Sequence, residues 1–394
     1  MVGMTLVKAD KQVSIIGASA AGLFAGEMMA KRGVDVRVFE AAEDLKPAER
    51  CLIVTDGYRD LLGPVGEHAT VNEVHRFELF ADGQVAHVEL KKPDVIIERS
   101  KLIPALADQA EKAGVKVELG QKFLGLSPNG RSVNFEVESK KTGETTKEST
   151  ETIIGADGAA SKFRTAAGWP TQPTVPLCQA VIELPKGYDP HTSQIWFLPE
   201  DTPYFYWLIA DSPTTGVLGI IGEKGSRAKQ TLEAFLDRKG FTAKEFQAAK
   251  IPAYRGWVPT HRKVGGADAY LMGDAAGQVK VSTVGGIVTG LKGAKGVAEA
   301  ILNGGVKSRE LKRLKKELNL HLAVRKSLHR FTTDDYRDLL LLLNDSSRDA
   351  LGSFHRDETG KLLRNLILKQ PKFFLLGLRG LLTRNAFPEV LNED

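Results

Sequence analysis

The sequence predicts an α/β chain in which a βαβ nucleotide-binding domain is interrupted by an inserted antiparallel β-sheet and followed by a helical C-terminal segment. Three observations predict it. A glycine-rich turn, Gly17-Ala18-Ser19-Ala20-Ala21-Gly22, separates a short apolar run from a helical stretch near the start of the chain. A second glycine-rich segment, Gly273-Asp274-Ala275-Ala276-Gly277 running on to Gly285-Gly286-Ile287, lies about 250 residues downstream. Between them, residues 166–262 are punctuated by prolines and aromatics and contain alternating stretches such as Gln194-Ile195-Trp196-Phe197-Leu198, the pattern of antiparallel strands.

The first element opens with the apolar run 13–16, as expected of a buried parallel strand. Residues 23–32, rich in Ala, Met, Leu and Lys, read as a helix that Gly33 ends. A second strand, 34–39, closes on Glu40. In such a unit Gly17 makes the tight turn, Gly22 permits close helix–strand packing, and the helix N-terminus at Ala20 and Ala21 faces a pyrophosphate. Glu40 stands 18 residues after Gly22, where a carboxylate accepts from ribose hydroxyls. Ser19 replaces the middle glycine of the fingerprint and is small enough to let the backbone approach phosphates.

Further along, Ile97-Glu98-Arg99-Ser100 opens a helical stretch to residue 113, followed by Gly114 and a strand at 115–119. Arg99, at the helix start, suits a charge-assisted contact to phosphate; a surface arginine is the alternative. Thr152-Ile153-Ile154-Gly155-Ala156-Asp157-Gly158 is a strand and a sharp turn leading into another helix start at Ser161 to Arg164. The stretch 290–301 is small and apolar on one face, suiting a closely packed helix, and beyond Gly305 the pattern is helical, with starts at Ser308 and at Thr332-Thr333-Asp334-Asp335.

Together these pieces resemble the FAD-dependent group that includes aromatic-ring hydroxylases, tryptophan halogenases and geranylgeranyl reductases. Residues 273–287, GDAAGQVKVSTVGGI, are most similar to the reductase branch, whose pattern runs close to GDAAGQVKPTTGGGI; Val281, Ser282 and Val284 depart from it. The resemblance covers roughly residues 11–345. It implies FAD held by a Rossmann-like domain of residues 1–165 plus 263–305, an antiparallel-sheet substrate domain of 166–262 joined by part of 60–95, and a helical region of 306–394. By position, it implies that Gly273 and Asp274 meet the ribityl chain and that Arg99 lies near the pyrophosphate or ribityl. Asp157 and Gly158 shape the pocket, and Gly285, Gly286 and Ile287 place N–H groups beside the isoalloxazine. Arg50 is a further candidate for the adenosine or ribityl portion.

The resemblance also implies a reaction: saturation of C=C bonds in an isoprenoid lipid by hydride from reduced FAD. The family's Y-x-W-x-F-P segment corresponds to Tyr204-Phe205-Tyr206-Trp207-Leu208-Ile209-Ala210, of which Phe205, Trp207 and Ile209 are candidate substrate-lining residues. Cys51, Tyr204 and Tyr206 are candidate proton donors. A monooxygenase of an aromatic or polyketide-like molecule uses the same cofactor frame, and a non-catalytic prenyl-lipid carrier is the reading from another class. No second glycine fingerprint for NAD(P)H occurs, so the electron donor is either NAD(P)H bound transiently or a reduced ferredoxin-like protein.

Composition sets the outer limits. The 394 residues allow two modest domains, and 42% hydrophobic with 26% charged content is ordinary for a globular protein. The net charge of +5 concentrates at the C-terminal end, where residues 305–394 hold 18 Lys/Arg against 12 Asp/Glu. Basic and amphipathic together suit an anionic membrane surface; solvated faces of ordinary helices give the same pattern. Two isolated cysteines exclude a disulfide framework or a zinc site. The first dozen residues carry Lys8, Asp10 and Lys11 and no apolar h-region, and no apolar run approaches the roughly 18 residues of a spanning helix. A cytoplasmic protein with at most peripheral membrane contact is expected.

Overall fold

The computed structural model describes residues 12–223 and 227–382. Expectations for the first eleven residues and for 383–394 lie outside the described residues.

The apolar run at 13–16 forms the strand Gln12–Ile16, in the middle of a six-stranded sheet with Val13 and Ile15 fully buried. Asp35–Phe39 and Lys116–Glu118 pair parallel on one side of it, and Thr152–Gly155 and Ala267–Leu271 on the other; His261–Val264 adds an antiparallel edge. The helices Ala20–Ala30, Arg99–Lys112 and Ile287–Leu302 pack on one face. A three-stranded meander, Gln121–Asn129, Ser132–Ser139 and Thr145–Thr150, covers the other through Phe123, Phe135 and Val137. Covering both faces is what lets these parallel strands be apolar on both sides.

Gly17 has φ +103°, and a Cβ there would stand 2.6 Å from the Ala156 carbonyl oxygen. A Cβ on Gly22 would stand 2.3 Å from the Gly17 oxygen, so the turn and the helix close on one another only because both are glycine. Ser19 has its own reason to be there: its hydroxyl caps the helix by accepting from the Gly22 amide at 3.2 Å.

The second sheet has eight strands and draws on two stretches of chain. Thr174–Glu183, Thr192–Trp196, Tyr206–Ala210, Thr215–Ile221 and Ala243–Pro252 come from the expected insertion, while Cys51–Val54, Thr70–Ala81 and Gln84–Glu98 come from before it. Pairing is antiparallel throughout except where Thr192–Trp196 runs parallel to Thr70–Ala81, the joint between the two stretches. The helix Ala228–Lys239 covers the back of this sheet through Leu232, Phe235 and Leu236.

The C-terminal region is helical as expected. Ser308 caps Arg309–Leu328, and Thr332 with Asp335 forms a capping box at the start of Thr333–Leu341. Asp345–Ser353, Thr359–Lys369 and Lys372–Leu382 follow.

Candidate functional site

The two glycine segments, far apart in sequence, meet. A Cβ on Gly273 would lie 3.0 Å from the Ala21 Cβ, so the second turn sits against the first turn of the Ala20–Ala30 helix. No acidic residue occupies that first turn. At the tip of the neighbouring strand, Glu40 accepts from the Ala18 amide (2.7 Å) and the Ala42 amide (2.8 Å), which ties it to the glycine turn while leaving lone pairs for a further donor.

Two guanidinium groups, Arg50 and Arg99, act on the Asp274 carboxylate. Desolvation raises the Asp274 carboxyl above its ordinary range, and Arg50 and Arg99 oppose the rise. Arg50 is itself held below its usual value by burial and by Arg99, and its Nε is buried without a hydrogen-bond partner. Arg50 and Arg99 bring two cations to Asp274, with Glu98 also acting on Arg50, beside the N-terminus of the Ala20–Ala30 helix. That donor set fits the diphosphate of a dinucleotide.

Asp157 and Gly158 stand on the other side of the first turn. The Asp157 carboxylate accepts from Ser161 Oγ and from the Phe163 amide (3.0 Å), so it holds the start of the Lys162–Ala166 helix while its backbone abuts Gly17. Its part is to shape the turn, since the side chain is already engaged.

Beyond Asp274 lies a cavity of about 420 Å³ between the eight-stranded sheet and the C-terminal helices. Residues 283–287 form one of its walls, and the same loop abuts the carboxylate: a Cβ on Gly286 would stand 3.1 Å from Asp274 Oδ1. The Ile287–Leu302 helix begins there with no side-chain cap, so its first amides have no side-chain partner at the cap position. Phe205, Trp207 and Ile209 form the opposing wall with Phe77, Phe197 and Leu177.

Strand alternation sorts the three proton-donor candidates. Tyr206 points to the back of the sheet, stacked on Phe235 at 3.9 Å with its hydroxyl donating to Asp201 (2.8 Å). Tyr204 is buried against Arg325 and His329 and does not line the cavity. Neither hydroxyl is presented to the cavity, so both are set aside as donors. Cys51 does line it, with Sγ donating to Glu98 Oε2 at 3.2 Å; burial and that carboxylate push the thiol well up, so it stays protonated.

Sequence reasoning passed over a set of buried polar groups on the cavity wall. Lys280 Nζ donates to Asp357, which also accepts from Thr55, all three buried. Burial alone would raise the Asp357 carboxyl, but Lys280 and Lys292 hold it well below the usual carboxylate range. Nearby, Ser282 Oγ meets His321 Nδ1 at 2.5 Å, and His321 Nε2 meets Thr359 Oγ1 at 2.8 Å and Glu317 at 3.5 Å. Lys280 and Ser282 belong to the glycine-rich segment already singled out, but their partners lie 77 and 39 residues away, Asp357 in the turn before Thr359–Lys369 and His321 on Arg309–Leu328, with no motif at either.

Comparison with known proteins gives the family. The FAD binding domain family model matches residues 10–213. The digeranylgeranylglycerophospholipid reductase of Methanocaldococcus jannaschii is 27% identical over 91% of this chain and 95% of its own. The geranylgeranyl diphosphate reductase of Rhodobacter capsulatus is 26% identical over 73% of this chain and 74% of its own. Among solved structures, a geranylgeranyl bacteriochlorophyll reductase-like protein from Thermoplasma acidophilum superposes with a TM-score of 0.76 at 17% identity, covering 93% of this chain and 99% of that one. The family match spans more than half the sequence and the reductase relatives run along most of it, so this chain belongs to the FAD binding domain family, as a geranylgeranyl reductase-like FAD-dependent oxidoreductase.

Proposed function

We propose that this protein saturates C=C bonds of an isoprenoid lipid whose polyprenyl chain occupies the cavity. The observation that carries the reading is the loop 283–287, which is at once a wall of the apolar cavity and a neighbour of Asp274. The names of the relatives support the substrate class.

In this reading Arg50, Arg99 and the N-terminus at Ala20 to Gly22 hold the FAD diphosphate. Gly17 and Ser19 shape that turn, Glu40 takes ribose hydroxyls, and Gly273 with Asp274 takes the ribityl chain. The amides of Gly285, Gly286 and Ile287 would serve the pyrimidine end of the isoalloxazine. Reduced FAD held there would be the source of the hydride for one alkene carbon. Phe205, Trp207 and Ile209 press the alkene toward the loop and keep water out, which an unactivated double bond requires.

The other alkene carbon needs a proton. Ser282 Oγ opens onto the cavity and is backed by His321, whose far nitrogen faces Thr359 and Glu317; the Glu317 side chain is 21% exposed and meets solvent. We assign His321 and Ser282 as the proton path, loaded from Glu317 on the solvent side. Because burial lowers the His321 pKa, its imidazolium is a transient, strong donor that passes the proton through Ser282. Cys51 is a second proton-bearing group on the wall, but its proton is engaged by Glu98.

The test is anaerobic mixing of reduced enzyme with a geranylgeranyl lipid. Reappearance of the oxidised flavin spectrum together with a product two hydrogens heavier is expected. A flavin that stays reduced removes the reading, and substrate-dependent oxygen uptake with a hydroxylated product would replace it with a monooxygenase. Reducing the enzyme with NADPH or with ferredoxin in parallel identifies the donor.

A further inference from the structure

The last two described helices present an apolar face outward. In Lys372–Leu382 the packing against the Arg309–Leu328 helix is made by Gly377 and Gly380: Ser327 Oγ donates to the Gly377 carbonyl at 2.8 Å, and a Cβ on Gly380 would stand 2.7 Å from that oxygen. Leu376 is buried beside Phe331 and Tyr336. Because the small residues take the inner face, Phe374, Leu375, Leu378 and Leu381, at helical spacing, are left 39–62% exposed. Leu368, at the end of Thr359–Lys369, is 68% exposed. Large exposed apolar patches of this kind mark interaction sites.

Charge says what covers it. From Thr359 to Leu382 there are five Lys/Arg and no Asp/Glu. Lys361, Lys369 and Arg379 pair with Glu358, Asp349 and Asp335 of neighbouring segments, and Arg364 and Lys372 are the cations the face offers. A second copy of the chain docking face to face would set like charges against each other. A basic rim around an apolar stripe instead matches anionic headgroups over acyl chains. Continuity with the cavity agrees: the helix that ends at exposed Leu368 and Lys369 contributes Leu362 and Leu363 to the cavity wall. Among the described residues no helix is long and apolar enough to cross a membrane, so contact of this kind is peripheral.

We propose that Thr359–Lys369 and Lys372–Leu382 form a docking surface for an anionic lipid bilayer, with Phe374, Leu375 and Leu378 entering the acyl layer and Arg364 and Lys372 at the phosphates. The inference stands on this surface alone and does not require the substrate reading.

The experiment is co-sedimentation of the full, FAD-loaded chain with phosphatidylcholine vesicles, with and without phosphatidylglycerol. Binding only to the anionic vesicles, weakening as salt is raised, is expected. Phe374→Ser with Leu375→Ser should weaken it about tenfold or more through lost apolar burial. Arg364→Glu with Lys372→Glu should do so by a similar factor and remove the salt dependence. All variants should keep the flavin spectrum, since neither pair lies in the cofactor site. Binding unaffected by either pair, or equal on neutral vesicles, overturns the proposal. So does a dimer in solution that only Phe374→Ser with Leu375→Ser dissolves, which would name a second copy as the occupant. If the full chain ignores both vesicles and a chain cut back to Leu382 binds them, residues 383–394 are the occupant and the proposal fails.

Discussion

Where Ala21 meets Gly273, the contact is made by a backbone turn and side chains no larger than alanine, and the groups offered to a ligand are amides and a carboxylate fixed by local geometry. A few residues on, around 283–287, the wall is built from side chains that arrive from three remote stretches: the strands before residue 98, the strands of 174–252 and the C-terminal helices. The cofactor end is therefore written in short motifs, because a phosphate is bound by backbone that only a few sequences can shape. The cavity end is written in packing, which many sequences satisfy and none advertises.

The largest way to break that contrast is the buried pair behind the cavity. Asp357→Ala strands the Lys280 ammonium, both side chains being only 5% exposed, and should cost about 3–5 kcal/mol in urea melts. Lys280→Met combined with Asp357→Leu should recover most of that loss. If Asp357→Ala melts like the parent, the pair does not hold the C-terminal helices to the cavity.

The next effect falls on the other end. Arg50→Met should weaken FAD by about 1.5–3 kcal/mol, the usual worth of hydrogen bonds to a charged group, read as quenching of flavin fluorescence on titrating apoprotein. Trp207→Ala should leave that titration unchanged while lowering turnover of lipid. A loss of FAD in Trp207→Ala would show that the two ends do not separate.

A smaller change tests the joint between them. Val284 is β-branched yet has φ +54°, a backbone region that costs such a residue strain. Val284→Gly should relieve it for a net gain of about 1 kcal/mol or less, the added freedom of the unfolded glycine offsetting part. The melting midpoint should rise as lipid affinity falls, because the Val284 side chain lines the cavity.

The smallest effect is in pH. Burial holds His321 below its ordinary pKa of 6.5, and Lys280 adds to this, while Glu317 and Asp357 pull the other way. The folded value is depressed, so the unfolded chain takes up the proton first as pH falls. Its contribution to stability is whole above about pH 6.5 and is lost on the way down through the lowered folded value. His321→Gln should flatten that part of the stability curve, and an unchanged acid slope would place the titration elsewhere.

Much of the frame was legible in the sequence. Ser308, Thr332 and Asp335 announced helix starts because a cap is a contact between residues three apart. The parallel strands announced themselves because burial on both faces makes an unbroken apolar run. The aromatic strand was legible as a strand, and its alternation was plain, but which face met the cavity was not. Trp207 and Ile209 line the cavity while Tyr206 faces the Ala228–Lys239 helix, a choice made by which layer covers which side.

By itself, then, the sequence determined what local geometry dictates: the glycine turns, the acid after the second strand, the helix boundaries and hence the cofactor's class. Tertiary structure alone decided that the short strand Cys51–Val54 closes the edge of the second sheet, that Asp357 answers Lys280 from 77 residues away, and that glycines in the Lys372–Leu382 helix turn its leucines outward. The physical reason is range. A turn or a cap is paid for within a few residues, whereas a cavity wall exists only after distant segments have packed, and its residues carry no mark of one another beforehand.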